Sequence, residues 1–123
     1  MSGYDELVVW RRGMEFVAEC YRVSSTFPKS EQFGLTTQLR RSAVSVPANI
    51  AEGNGRWHRR EYLHHLSIAR GSLNEAETFL KVAVMLKHVA KDSIVEAANI
   101  ADECSRMLTV LRRRLSQAPA SRL

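Results

Sequence analysis

The sequence predicts an all-α protein, an up-down-up-down antiparallel four-helix bundle. Apolar residues recur at steps of three and four through four long segments, and no segment alternates with a period of two. The few backbone breakers, three prolines and six glycines in 123 residues, fall mostly between those segments. Pro28 and Gly34 bracket the first turn, Gly53 and Gly55 the second, and Pro119 lies in the tail. Short connections between long amphipathic helices favour antiparallel neighbours.

The first helix is expected from about Asp5, its N-cap, to Ser25, with Leu7, Trp10, Met14, Val17, Ala18 and Tyr21 facing inward. The second runs from about Glu31 to Glu52. Leu35, Leu39, Ala43, Val46 and Ile50 form its stripe, and Gly53 is placed to end it in a left-handed conformation. The third, from about His58 to His88, is roughly 45 Å long. Its core stripe is Tyr62, Leu66, Ala69, Leu73, Ala76, Leu80 and Ala83. The fourth runs from about Asp92 to Ser116, with Ile94, Ala98, Ala101, Cys104, Leu108, Leu111 and Leu115 inward. Residues 1–118 read as a single domain and 119–123 as a short flexible tail.

A content of 45% hydrophobic residues suits one modest core. No run approaches the roughly 20 apolar residues of a membrane span, and MSGYDELVVW has neither a charged n-region nor a long apolar stretch. A cytoplasmic protein without membrane association is expected. Cys20 and Cys104 fall on helical apolar stripes and read as buried free thiols. The formal net charge of +5 suits either an anionic partner or a soluble surface.

The second helix also carries a polar stripe, Gln38, Arg41, Ser45, Asn49 and Glu52, away from its core face. Arg41, Asn49 and Glu52 are able to bond a neighbouring helix and fix orientation at a subunit contact. Pro47 removes a backbone donor and clashes with the Ala43 carbonyl, so a kink is expected that redirects the half of the helix leading to Gly53. The third helix has a second apolar set, Ile68, Phe79, Val82 and Leu86, well round from its core stripe. A helix apolar on two faces must cover both, which predicts a homo-oligomer; a wide core stripe in a monomer is the alternative.

Enzyme chemistry finds little footing. Glu61 and His64 form one Glu-x-x-His, but a di-iron bundle needs a second copy and two further inward glutamates. His58 and His65 with Glu61 make at most a fortuitous clamp, and no nucleophile elbow, phosphate-cradling loop or zinc spacing is present. No metal or cofactor is expected. The arginines are better organised: an up-down bundle gathers Arg11 and Arg12, then Arg56, Arg59 and Arg60, then Arg112, Arg113 and Arg114 at one end. The last three suit a helix C-terminus without any function, whereas Arg59 and Arg60 oppose the dipole at a helix start unless an anion binds there. Trp57 and His58 stand among them, available to stack on an unpaired base. The end reads as a phosphate-backbone surface, RNA slightly before DNA, or as a solvated basic rim.

The run LRRSAVSVPANIAEGNGR at Leu39–Arg56, SIARGSLNEAETFL at Ser67–Leu80, the opening LVVWRRGMEFV and TFPKSEQFGLTTQLRR resemble the bacterial four-helix-bundle protein family, some of whose members are encoded within intervening sequences of 23S rRNA genes. The similarity spans about Leu7 to Leu115. It implies an up-down-up-down bundle in a ring-like homo-oligomer, a pentamer, with no assigned reaction. Related accessory proteins of diversity-generating retroelements bind nucleic acid and associate with a reverse transcriptase, which makes a reverse transcriptase or another protein a further partner class. Motif positions carried over are Arg40, Arg41, Ser45, Pro47, Asn49, Glu52, Gly53, Arg56, Arg70, Gly71, Ser72 and Glu75, for assembly or for ligand binding. Where the family commonly caps the third helix with serine or threonine, this chain has His58.

Overall fold

The computed structural model describes residues 3–117; the tail expected at 119–123 lies outside the described residues. A 3-10 turn at Tyr4–Glu6 leads into α1 (Val8–Ser24). A second turn at Lys29–Glu31 precedes α2 (Leu35–Asn54), a tight corner joins it to α3 (Arg59–Met85), and a turn at Lys91–Ile94 precedes α4 (Val95–Gln117). Each helix packs against the next and α4 returns to α1, so the four form a closed square around one core. This is the all-α, up-down-up-down bundle that the periodicity predicts. Among the described residues there is no strand, and no helix is long and apolar enough to cross a membrane.

The core stripes of α2 and α3 are buried as expected, with Leu39, Ile50, Leu66, Leu73 and Leu80 fully enclosed. α1 corrects the expectation. Its buried residues are Val9, Gly13, Phe16, Cys20, Val23 and Ser24, while Met14, Ala18 and Tyr21 are exposed and Leu7, Trp10 and Val17 lie at the core's edge. The helix is turned by about a third of a revolution from the expected face. Gly13 lies on the buried face, where a residue without a side chain looks like a gap in a stripe, and the space beside it is ordinary packing distance from α2. A methyl placed there would lie 3.5 Å from Pro47 Cβ and 3.6 Å from Val46 Cγ1. Pro47 is buried in that contact, and α2 continues uninterrupted through it to Asn54.

Helix ends differ from expectation in physically readable ways. α1 starts at Val8 with Leu7 at the cap position, not at Asp5. α2 starts at Leu35, because Glu31 stands outside as a cap: its Oε1 accepts the Leu35 N–H at 3.2 Å. Gly53 does not end α2 in a left-handed conformation; it is helical and buried, and no described glycine has positive φ. A methyl at Gly53 would meet His65 Cβ at 2.8 Å and Tyr62 Cδ1 at 3.0 Å, so glycine serves the close approach of α2 to α3. α3 closes on Lys87, at φ 62°, with His88 N–H donating to Ala83 O at 2.9 Å and Lys87 N–H to Val84 O at 3.0 Å. That pair of bonds is a Schellman turn in which lysine takes the position glycine usually holds. Cys20 and Cys104 are buried and free, and burial pushes their thiols up to about 12 and about 11.

Candidate nucleic-acid interface

The arginine end is assembled by three chain segments. Arg59 Nη1 donates to the Leu115 carbonyl at 3.2 Å, tying the start of α3 to the end of α4. The start of α1 lies against the second half of α4, where Glu6 to Val9 face Arg106, Met107, Val110, Leu111 and Arg114. Arg11, Arg60, Arg112, Arg113 and Arg114 are exposed at this end, and among the described residues none pairs with a carboxylate.

Two of the other arginines singled out in the sequence, Arg12 and Arg56, are paired with carboxylates. Arg12 bonds Glu15 within α1 and reaches Glu103 of α4 at 2.8 Å, and these carboxylates, Glu15 first, raise its pKa further. Arg56 sits between Glu52 at 2.6 Å and Glu61 at 3.6 Å. Glu61 is therefore turned toward the corner, and His58 offers α3 no side-chain cap. Trp57 is 87% exposed at the tip of the corner. The unspent cations thus share one end of the bundle with an uncapped helix start, where free backbone N–H groups and the dipole favour an anion.

The polar stripe of α2 is mostly consumed within the chain. Ser45 and Ser72 hydroxyls bond at 2.8 Å across α2 and α3. Asn49 Nδ2 donates to the Ser45 carbonyl at 2.9 Å, which fixes the amide and turns its oxygen toward His65 Nδ1 at 3.0 Å. That oxygen can only accept, so His65 Nδ1–H is the donor, and His65 Nε2 lies 3.9 Å from Glu52, beyond hydrogen-bond reach. Asn49 and Glu52, the residues expected at a subunit contact, thus also make intrachain contacts, with Glu52 still half exposed. Arg41 and Glu75 remain exposed, and Arg70 reaches only Thr109 of α4 at 3.4 Å. Arg40 bonds Ser24 at 2.8 Å and covers the Tyr21 ring at 4.4 Å.

The second apolar set of α3 divides. Phe79 and Val82 pack partly against the core, whereas Ile68 and Leu86 stay exposed. Two features escaped sequence reasoning altogether. One is a cavity of about 480 Å³ between the start of α1 and α4, floored by Leu7, Val8, Met107, Val110 and Leu111 and rimmed by Glu6, Arg106 and Arg114. Its one signal was that Val8 and Val110 lie off both expected stripes. The other is the far end of the bundle, where Glu31 Oε2 and His88 Nε2 bond at 2.8 Å and Phe33 stands 90% exposed.

Among the described residues no three histidine, cysteine or acidic side chains converge on a point able to hold a metal. Compared with known proteins, the chain matches the family model described as 23S rRNA-intervening sequence protein over residues 5–110. It also resembles the crystal structure of a protein with unknown function from the S23 ribosomal protein family of Bacteroides thetaiotaomicron VPI-5482. That likeness has a TM-score of 0.79 at 22% identity, covering 86% of this chain and 99% of that one, and it supports the fold. No curated protein matches the chain. With the motif runs and the bundle agreeing with a match over most of its length, the chain belongs to the 23S rRNA-intervening sequence protein family.

Proposed function

We propose that this chain is a non-enzymatic, self-associating accessory protein that binds the phosphate backbone of nucleic acid through its arginine end. The observation that carries the reading is that Arg11, Arg60, Arg112 and Arg113, none with a carboxylate partner among the described residues, share one end of the bundle with the uncapped start of α3. Guanidinium forks match phosphate oxygens bidentately and are weakly hydrated, so such a cluster gains from phosphates what it lacks from the fold. RNA is the first ligand to try, since the family takes its name from 23S rRNA. Repeating the end around an oligomer multiplies the attraction.

The test is fluorescence anisotropy of labelled structured RNA, duplex DNA and single-stranded DNA across a salt series, with Arg60, Arg112 and Arg113 changed together to alanine. Binding should weaken steeply with salt, and the variant's slope of log affinity against log salt should fall in magnitude by about 2 to 3. Absence of binding at low salt would remove the reading and turn the search to a protein partner, a reverse transcriptase among them. That second reading has its own observation. At the opposite end Phe33 is 90% and Met85 70% exposed, apolar surface that the fold leaves uncovered.

A further inference from the structure

The two aromatic side chains most open to water stand at opposite ends of the bundle, Phe33 at 90% and Trp57 at 87% exposure. Their surroundings differ in charge. Phe33 lies two residues beyond Glu31, whose carboxylate holds the Leu35 N–H and His88. Trp57 follows Arg56 and precedes His58, Arg59 and Arg60, at the end that also exposes Arg112 and Arg113. The chain's other tryptophan, Trp10, is stacked on Tyr4 with 5.2 Å between ring centroids and packs at the core's edge. Among the described residues no aromatic ring or guanidinium covers Trp57.

The corner that presents the ring is tied down on both sides. Gly55 N–H donates to the Ala51 and Glu52 carbonyls at 3.2 Å, and Arg56 N–H donates to Gly53 O at 3.1 Å. Asn54 Nδ2 donates to the Tyr62 hydroxyl at 3.2 Å, and Gly53 holds α2 close to α3 just before the turn. Arg56 is turned to Glu52 and Glu61 rather than laid over the indole. The bonds of the corner thus fix its backbone and leave the faces of the ring open. A flat aromatic surface offers every nucleobase a stacking partner, and a platform that is already fixed loses little freedom when it is used.

We propose that the arginine end selects RNA in which an unpaired base interrupts or ends a stem, the base stacking on Trp57 while the neighbouring guanidiniums hold the flanking phosphates. This rests on the backbone-binding reading above and names its substrate class. In a continuous stem each base is covered by its neighbours and its pair, so the indole has nothing to stack on. A bulged or looped-out base has a free face, and the positive charge beside Trp57 suits the phosphates on either side of it. Stacking does not read the hydrogen-bonding edge of a base, so the selection is for being unpaired rather than for sequence. Phe33, beside a carboxylate at the other end, lacks that complement.

The test titrates the full chain against two labelled RNA hairpins at one salt concentration, a fully paired stem and the same stem carrying a single bulged adenine. The variants are Trp57→Ala, Trp57→Phe and Phe33→Ala, with circular dichroism to show that each folds. The wild type should bind the bulged hairpin about tenfold tighter than the paired one, and the bulged RNA should quench its tryptophan emission. Trp57→Ala should bring that ratio to about one and abolish the quenching, Trp57→Phe should keep part of the ratio, and Phe33→Ala should keep all of it. A wild type that binds both hairpins equally, a ratio that survives Trp57→Ala, or one lost equally in Phe33→Ala overturns the stacking and leaves backbone binding standing. A wild type that binds neither hairpin overturns backbone binding itself.

Discussion

The two ends of the bundle both carry cations, but they are closed differently. At the end holding the α1–α2 and α3–α4 connections, polar groups are spent on the fold. Glu31 caps α2 and holds His88, and a Schellman turn finishes α3. The cations there are Lys29, Lys87 and Lys91, compact and strongly hydrated charges, and Arg22, which pairs with Glu19 and donates to the Ser93 carbonyl. At the end holding the α2–α3 corner, Glu52 and Glu61 are absorbed by Arg56, Arg12 pairs with Glu15 and Glu103, His58 leaves α3 uncapped, and the other guanidiniums have no carboxylates among the described residues. The fold needs the first end completed and leaves the second with unused donors.

The comparison is broken most forcefully at Gly53, whose hydrogen is all that fits beside His65 and Tyr62. Gly53→Val should cost about 3 kcal/mol in denaturant unfolding and collapse the arginine corner. A mild effect would mean that α2 and α3 separate easily there. At the other end, the His88 hydrogen bond, with the Leu35 N–H second, holds the Glu31 carboxyl below its ordinary pKa. Its contribution is present above the unfolded carboxylate's pKa and lost as pH falls through the lowered folded value. Glu31→Gln should therefore lower Tm at neutral pH and differ less from the wild type in acid; a constant difference at every pH would contradict the ion pair.

Smaller effects sharpen the contrast. His58→Ser should supply the missing cap of α3 and stabilise by about 1 kcal/mol. It should also weaken RNA binding slightly, as the hydroxyl takes an N–H that an anion would use. Lys87→Gly should relieve the left-handed residue and stabilise by about 0.5 kcal/mol with no change in binding. Thermal melts with and without RNA separate these outcomes.

Much of this was legible because burial follows periodicity. All seven core residues expected on α3 are buried, as are all five on α2. One misreading traces to glycine. Gly53 was read through conformational freedom, whereas it serves helix-to-helix distance, a property of a partner surface that no single helix reveals. The ion pairs were hidden for the same reason: Arg12 with Glu103 and Glu31 with His88 join residues 91 and 57 positions apart. The arginine cluster was visible in outline, but which arginines remain free depends on those pairings.

The most direct measurement compares two charge-reversal variants in one RNA-binding titration, Arg60, Arg112 and Arg113 changed to glutamate against Lys29, Lys87 and Lys91 changed to glutamate. Both carry the same net charge, so any difference reports location. The account predicts a loss on the order of a hundredfold for the arginine variant and a loss of only a few-fold for the lysine variant. Equal losses would reduce the arginine end to bulk charge, and a larger loss from the lysine variant would move the interface to the other end of the molecule.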